Sequence, residues 1–340
     1  MSLEHTPTPR VSVLMTLYNK GPFVEEAVRS VLDNTFGDLE LLVVDDASTD
    51  DGVERVRRIT DPRIRLLTHD RNTGRAAAAN RGYDAARGEY LAILDADDIA
   101  HPERLAKQVA FMDAHPDVGV CGSFAQLIGD RAVVGRWPAT DHECRGKMLF
   151  GDPVLYGSAI LRRAILEQHA LRSDGAWLWP GEDYLFLLKV GRFARYANLQ
   201  DALLYYRMGA NNQRHGRDPI QDRAMVVREA FRFFDVPMTD DDLVSQLALH
   251  QLFRTPFNAR QVRDLWSWTS TLRRMNAERA LFPADLFEAQ LQHRWQRLFH
   301  TFADHDVRAA LTHLRCSRSW PLDRLVYLVK TTLKRWLRAG

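Results

Sequence analysis

The stretch YLAILDADDIAHPERL, Tyr90 to Leu105, decides the fold. Its first five residues are apolar and β-prone, the pattern of a buried central strand. Three carboxylates, Asp95, Asp97 and Asp98, follow at once. Like charges crowded at a strand exit repel one another, so the cluster costs stability unless a cation or donors sit against it. Two readings stand. If the chain stays extended, Asp95 and Asp97 point to one side and suit a hard divalent cation, Mg²⁺ or Mn²⁺, that keeps positions open for phosphate oxygens. Alternatively the aspartates favour the N-terminus of the next helix, PERLAKQVAFMDAH. That role suits Asp98, with Pro102 near the helix start.

Upstream, strand and helix patterns alternate. VSVLMTLYN, LELLVVDDAS and IRLLTH read as strands; PFVEEAVRSVLDN, DDGVERVRRIT and GRAAAANRGYDAAR read as helices between them. The alternation argues for an α/β fold, a mostly parallel sheet with helices on both faces. Ligands of such sheets sit beyond the carboxyl ends of the strands. Three of those ends carry polar clusters, TLYN, DDAS and DADD, and all three are expected to face one crevice. From Val118 the pattern continues with a strand, VGVCGSFAQLIG, a strand or loop entering a helix in VLYGSAILRRAILEQH, and a helix in EDYLFLLKVGRF. ARYANLQDALLYYRM then supplies two short strands.

Composition sets a boundary. Of the 19 glycines, 18 lie in residues 1–216. Turn-rich α/β structure is therefore expected for residues 1–216 and a helical region for residues 217–340, with five helix patterns. The apolar share of 46% and charged share of 26% are those of a soluble globular chain. Cys121, Cys144 and Cys316 form no metal-ligand spacing and no disulfide framework, so a reducing, cytoplasmic compartment is expected. No secretory signal or membrane-spanning run is visible.

The first strand ends without the glycine fingerprint of a dinucleotide domain, and no Walker loop appears. It ends in Thr16, Tyr18 and Asn19, an aromatic face with hydrogen-bonding side chains, suited to a nucleobase and ribose. VVDDAS adds acceptors. Phosphates at such a site would be held by metal rather than by a glycine nest.

Over roughly its first 215 residues the chain resembles glycosyltransferase family two, the large group with the GT-A fold. The matching segments are VSVLMTLYNKGPFVEEAVRSVLDNTFGDLELLVVDDASTD, NTGRAAAANRGYDAARGEYLAILDADDIAHPERL and GEDYLFLLKV. The resemblance implies inverting transfer of a sugar from a nucleoside-diphosphate sugar, a UDP-sugar first, to a glycan or lipid-linked hydroxyl in surface polysaccharide synthesis. By position, Thr16 and Tyr18 would flank the nucleobase and Asp46 would hydrogen-bond it, with Asp45 supporting the loop. Asn72, Arg75 and Asn80 would border the nucleotide pocket, Arg75 within reach of a phosphate. Asp95 would serve the ribose side and Asp97 the metal. Asp183 would be the catalytic base, with Glu182 beside it. The family's histidine after YYR is missing, since Met208 and Gly209 stand there, and His215 is the nearest substitute. Trp177 and Trp179, just before the base, offer an acceptor platform or loop packing.

The last helix pattern, residues 321–338, is amphipathic. Between Arg315 and Gly340, seven Lys/Arg face one acid, Asp323. Such a helix suits an anionic membrane surface, peripheral on the cytoplasmic face, as well as it suits docking on neighbouring helices. RDLWSWTSTLRRMN and LQHRWQRLFHTF could build a homodimer interface. A catalytically inactive GT-A-fold binding or scaffolding protein is the alternative function. No nucleic-acid partner is expected, because the basic residues gather in the tail rather than around the crevice.

Overall fold

The structure is a computed structural model that describes residues 8–129, 132–177, 180–209 and 216–339. The chain divides into two compact units, Met1–Cys144 with Gly151–His215, and Arg145–Phe150 with Gly216–Gly340. The short segment Arg145–Phe150 thus packs with the helical unit although it lies within the first 216 residues.

The first unit alternates β1 (Val11–Leu17), α1 (Gly21–Leu32), β2 (Leu39–Asp45), α2 (Gly52–Arg57), β3 (Ile64–Thr68), α3 (Arg75–Ala85) and β4 (Tyr90–Ile93). It continues with β5 (Ile99–Ala100), α4 (Arg104–Ala114), β6 (Val118–Gly129), β7 (Val134–Gly135) and the first residues of α5 (Asp141–Lys147), whose end from Arg145 belongs to the other unit. β8 (Ile160–Arg162), α6 (Arg163–Gln168), α7 (Glu182–Val190) and β9 (Arg195–Met208) complete it. One sheet runs β3-β2-β1-β4-β8-β6-β9-β5, with β7 on β6.

The alternation of β1 explains the layers. Val11, Val13, Met15 and Leu17 join a core with Val24, Val28 and Val31 of α1, Val53 of α2 and Leu105 and Val109 of α4. Leu14 points the other way and meets α3. There the helix comes so near that a Cβ on Gly82 would lie 2.1 Å from Leu14 Cδ1, which is why glycine stands at that position.

The sheet is mixed, with its longest ladders parallel as expected. β3, β2, β1 and β4 are parallel, as are β6 and β9, but β8 runs antiparallel to β4 and β6, and β5 antiparallel to β9. Strands buried on both faces give the same apolar run whichever way they point, so direction is not written in the pattern. The last strand is also one 14-residue element rather than two. Opposite β6 its pairing jumps from Leu199 to Ala202. Gln200 and Asp201 are extra residues of an irregularity within a continuous strand.

The second unit holds α8 (Pro219–Phe233), α9 (Asp240–Leu249), α10 (Ala259–Arg279), α11 (Ala284–His305), α12 (Val307–Ser317) and α13 (Leu322–Ala339). Helix α12 lies beyond the five helix patterns of the sequence. Asp306 ends α11 and caps α12, its Oδ1 accepting from Arg308 N at 2.9 Å. Two helices joined through one residue leave no loop signature between them. Thr239 and Asn258 start α9 and α10 with reciprocal capping boxes.

His313 is fully buried in this unit, stacked 4.3 Å from Trp295, with Nε2–H donating to Trp295 O at 2.9 Å. Burial pushes its pKa from 6.5 down to about 4. The unfolded chain binds the proton first on acidification, so stability should be full above pH 6.5 and fall as the pH drops towards 4. The loss should be on the order of 2–3 kcal/mol. Urea unfolding followed by Trp fluorescence between these pH values should show this slope in wild type and a flatter one in His313→Phe.

Candidate active site

The ends of β1 and β2 are tied by backbone and side chain. Asp46 N donates to Leu17 O at 2.8 Å, and Asn19, in the left-handed region at φ 52°, accepts from Thr49 N at 2.8 Å. Asp45 is buried and accepts from Ser48 N, holding its own loop. Asp46 is buried too. Its Oδ1 accepts from His69 Nδ1, Thr73 N and Thr73 Oγ1, and its Oδ2 from Gly74 N, each at 2.8 Å. Burial alone would raise this carboxyl, yet the donors outweigh it and hold it below the usual carboxylate range. Asp46 is therefore the anchor of the loop that leads into α3. With one donor against it, Oδ2 retains acceptor capacity.

At the end of β4 the chain does not stay extended. It turns, with Asp98 N donating to Asp95 O at 3.1 Å. Asp95 and Asp97 nevertheless both line the cleft. Asp97 Oδ2 meets Lys20 Nζ at 2.5 Å. Asp98 caps no helix: it precedes β5, and α4 begins at Arg104 without a side-chain cap. Its Oδ1 instead accepts from Arg207 N at 2.8 Å, while Arg207 Nε donates to Asp97 O at 2.9 Å. Burial and the neighbouring Asp95 raise Asp98 well above the usual carboxylate range. The turn is thus stitched to β9 rather than to the helix after it.

Arg75, the first residue of α3, is the centre of the remaining charges. Its Nε donates to Glu182 Oε1, its Nη2 lies 3.0 Å from Asp183 Oδ2 and its Nη1 3.8 Å from Asp95 Oδ1. Its guanidinium also stands 5.9 Å from the Tyr156 ring. Glu182 and Asp183 open α7, where the positive helix end favours them, and Asp183 Oδ1 accepts from Tyr184 N at 2.8 Å. Burial raises Glu182 despite the arginine, and raises Asp95 to about 6.

These parts surround one cleft of about 1130 Å³. Of the residues singled out in the sequence, Thr16, Tyr18, Asp46, Asn72, Arg75, Asp95, Asp97 and Asp183 line it, so the three strand ends do meet in one crevice. Tyr18 presents a half-exposed ring. Asn80 does not line it. Both ends of its amide are spent on the main chain of Ser173, at 2.9 Å each, which makes it a tie between α3 and the segment before α7. Trp177 also lies away from the lining, and Trp179 and His215 fall outside the described residues. Lys20, Tyr156 and Arg207 line the cleft without having been singled out. Lys20 stands in YNK, one residue beyond a polar strand end, a signal that was readable; Tyr156 and Arg207 arrive from distant segments.

A family model described as "Glycosyl transferase family 2" matches residues 12–168. The UDP-Glc:alpha-D-GlcNAc-diphosphoundecaprenol beta-1,3-glucosyltransferase WfgD of Escherichia coli is 30% identical over 50% of this chain and 68% of its own length. The succinoglycan biosynthesis protein ExoO of Rhizobium meliloti is 34% identical over 53% of this chain, which spans only 55% of that protein. Among solved structures, S. aureus TarS bound to UDP-GlcNAc superposes with a TM-score of 0.60 at 19% identity, over 92% of this chain and 93% of that one. TarS is alike in fold; the sequence relatives carry the family. The chain belongs to glycosyl transferase family 2 and is a glycosyltransferase.

Proposed function

We propose that the cleft binds a nucleoside-diphosphate sugar, a UDP-sugar in the first instance, and transfers the sugar with inversion to a hydroxyl of a glycan or lipid-linked acceptor in polysaccharide synthesis. The observation that carries this reading is that Asp97, at the end of β4, and Asp183, at the start of α7, open onto the same cleft as Tyr18 and Asp46. WfgD, which uses UDP-Glc, and ExoO, a succinoglycan biosynthesis protein, support the donor and the pathway class.

Each residue has a task. The Tyr18 ring stacks on the base, and Asp46 fixes the loop that closes the base pocket. Asp183 takes the proton from the acceptor hydroxyl as that oxygen attacks the anomeric carbon from the side opposite the departing diphosphate. The Nη2 of Arg75, 3.0 Å from Oδ2, keeps the Asp183 carboxylate oriented. General-base help of this kind is worth roughly 10²–10⁴ in rate.

The donor set at the β4 turn fits a divalent metal held by one protein carboxylate together with substrate oxygens. Asp97 faces the cleft, while no group of three or more His, Cys, Asp or Glu among the described residues could hold a metal by itself. Such a metal, when bound, would offset charge on the leaving diphosphate. Lys20 already brings a positive charge to Asp97 and would remain beside the diphosphate.

Calorimetric titration of UDP, dTDP and GDP, with and without Mn²⁺, tests the reading. Asp183→Asn should bind nucleotide like wild type and lose transfer by roughly 10²–10⁴. Asp97→Asn should lose both binding and transfer. Absence of nucleotide binding under every condition would leave an inactive fold, and full transfer by Asp183→Asn would remove it as base.

The Arg75 cluster gives a stability prediction. Arg75→Met leaves the buried Glu182 without its cation and should cost about 3–5 kcal/mol. Combining it with Glu182→Gln should recover a large part of the loss, read as the shift in thermal midpoint across the double-mutant cycle.

A further inference from the structure

Helix α13 docks on the second unit with one side only. Leu328, 6% exposed, is buried; Tyr327 Oη donates to Asp304 Oδ1 at 2.6 Å, and Arg324 donates to Gln296 Oε1 at 2.8 Å. A different set of side chains is left in solvent. Leu322 is 77% exposed, Val326 42%, Val329 58%, Leu333 54% and Leu337 70%. Their spacing of four, three, four and four residues gathers them within about 80° of the helix circumference. The apolar face read from the sequence thus divides, and among the described residues its larger part is left exposed.

Charge says what kind of surface it fits. Lys330 and Lys334, both exposed, run along one edge of the stripe, with Asp323 the one acid on that side. Arg315 and Arg318, also exposed, lie just ahead, together with Trp320, 48% exposed. A second copy would bring the same seven cations and single acid between Arg315 and Gly340, so pairing stripe to stripe sets like charges together. An anionic bilayer instead receives the apolar side chains below its headgroups and the lysines among its phosphates. No helix among the described residues is long and apolar enough to cross a membrane, so contact would lie in the interface plane.

We propose that α13 binds an anionic lipid surface through Leu322, Val326, Val329, Leu333 and Leu337, with Lys330 and Lys334 reading the headgroup charge. The proposal is separate from the catalytic reading, which it deepens only by bringing the enzyme to lipid-linked acceptors. The full chain is sedimented with vesicles of phosphatidylcholine alone and of phosphatidylcholine with phosphatidylglycerol. Binding is expected to the anionic vesicles and to weaken with salt. Lys330→Gln with Lys334→Gln should weaken it about 25-fold, at roughly fivefold per lysine. Val329→Ser with Leu333→Ser, at exposed positions that leave the docked side intact, should abolish it. Nucleotide titration of the same variants should be unchanged, which reads the catalytic proposal independently. Equal binding to neutral vesicles, no vesicle binding, or a dimer by light scattering that Val329→Ser with Leu333→Ser dissociates would each overturn the proposal.

Discussion

The gathering of carboxylates around Arg75 is the constraint on which the rest of the first unit depends. Parallel strands deliver their ends to one edge of the sheet, and the ends of β2 and β4 carry acids. Asp95, Glu182 and Asp183 come from β4 and α7, far apart in the chain, and one guanidinium at the start of α3 faces all three. Without it the like charges would drive the segments apart or force protonation. Two of the acids are indeed raised, Asp95 to about 6 and Glu182 upward, which shows how close the balance lies. Arg75 was expected within reach of a phosphate; the structure places it first as a counter-ion.

The same balance is met elsewhere by different means. Asp46 stays ionised because four donors converge on it from the loop before α3. Asp97 has Lys20. Asp98 is raised well above the usual carboxylate range by burial and by Asp95, with its Oδ1 engaged by the Arg207 amide. These three acids are therefore met by different partners, donors at Asp46, a lysine at Asp97 and a main-chain amide at Asp98. A site proposed to take a diphosphate gains from this arrangement, because fixed positive groups are already oriented at its walls.

The second unit works by burial and capping. Its helices are started by Thr239, Asn258 and Asp306, each bonding a backbone amide of the first turn. Its core is aromatic, with Trp295, Phe299, Phe302 and His313 in contact, and it leaves one side of α13 to solvent.

Much of the first unit was legible. Periodicity gave the strands and helices from Val11 to Ile93, and polar residues at strand ends marked the crevice, because both signals are local. Strand direction was not legible, since a doubly buried strand looks alike either way. β9 read as two strands because Gln200 and Asp201 interrupt its apolar run, and only the neighbouring β6 shows that the pairing resumes. Asn80 looked like a pocket residue from its motif and is a tie to Ser173, a contact 93 residues away in the chain. The sequence by itself determined the α/β alternation, the acidic strand ends, the family and the charge of the tail. The tertiary structure alone decided which cation faces which carboxylate and which side of α13 remains uncovered. Both depend on pairs brought together from distant segments, and no local pattern encodes such a distance.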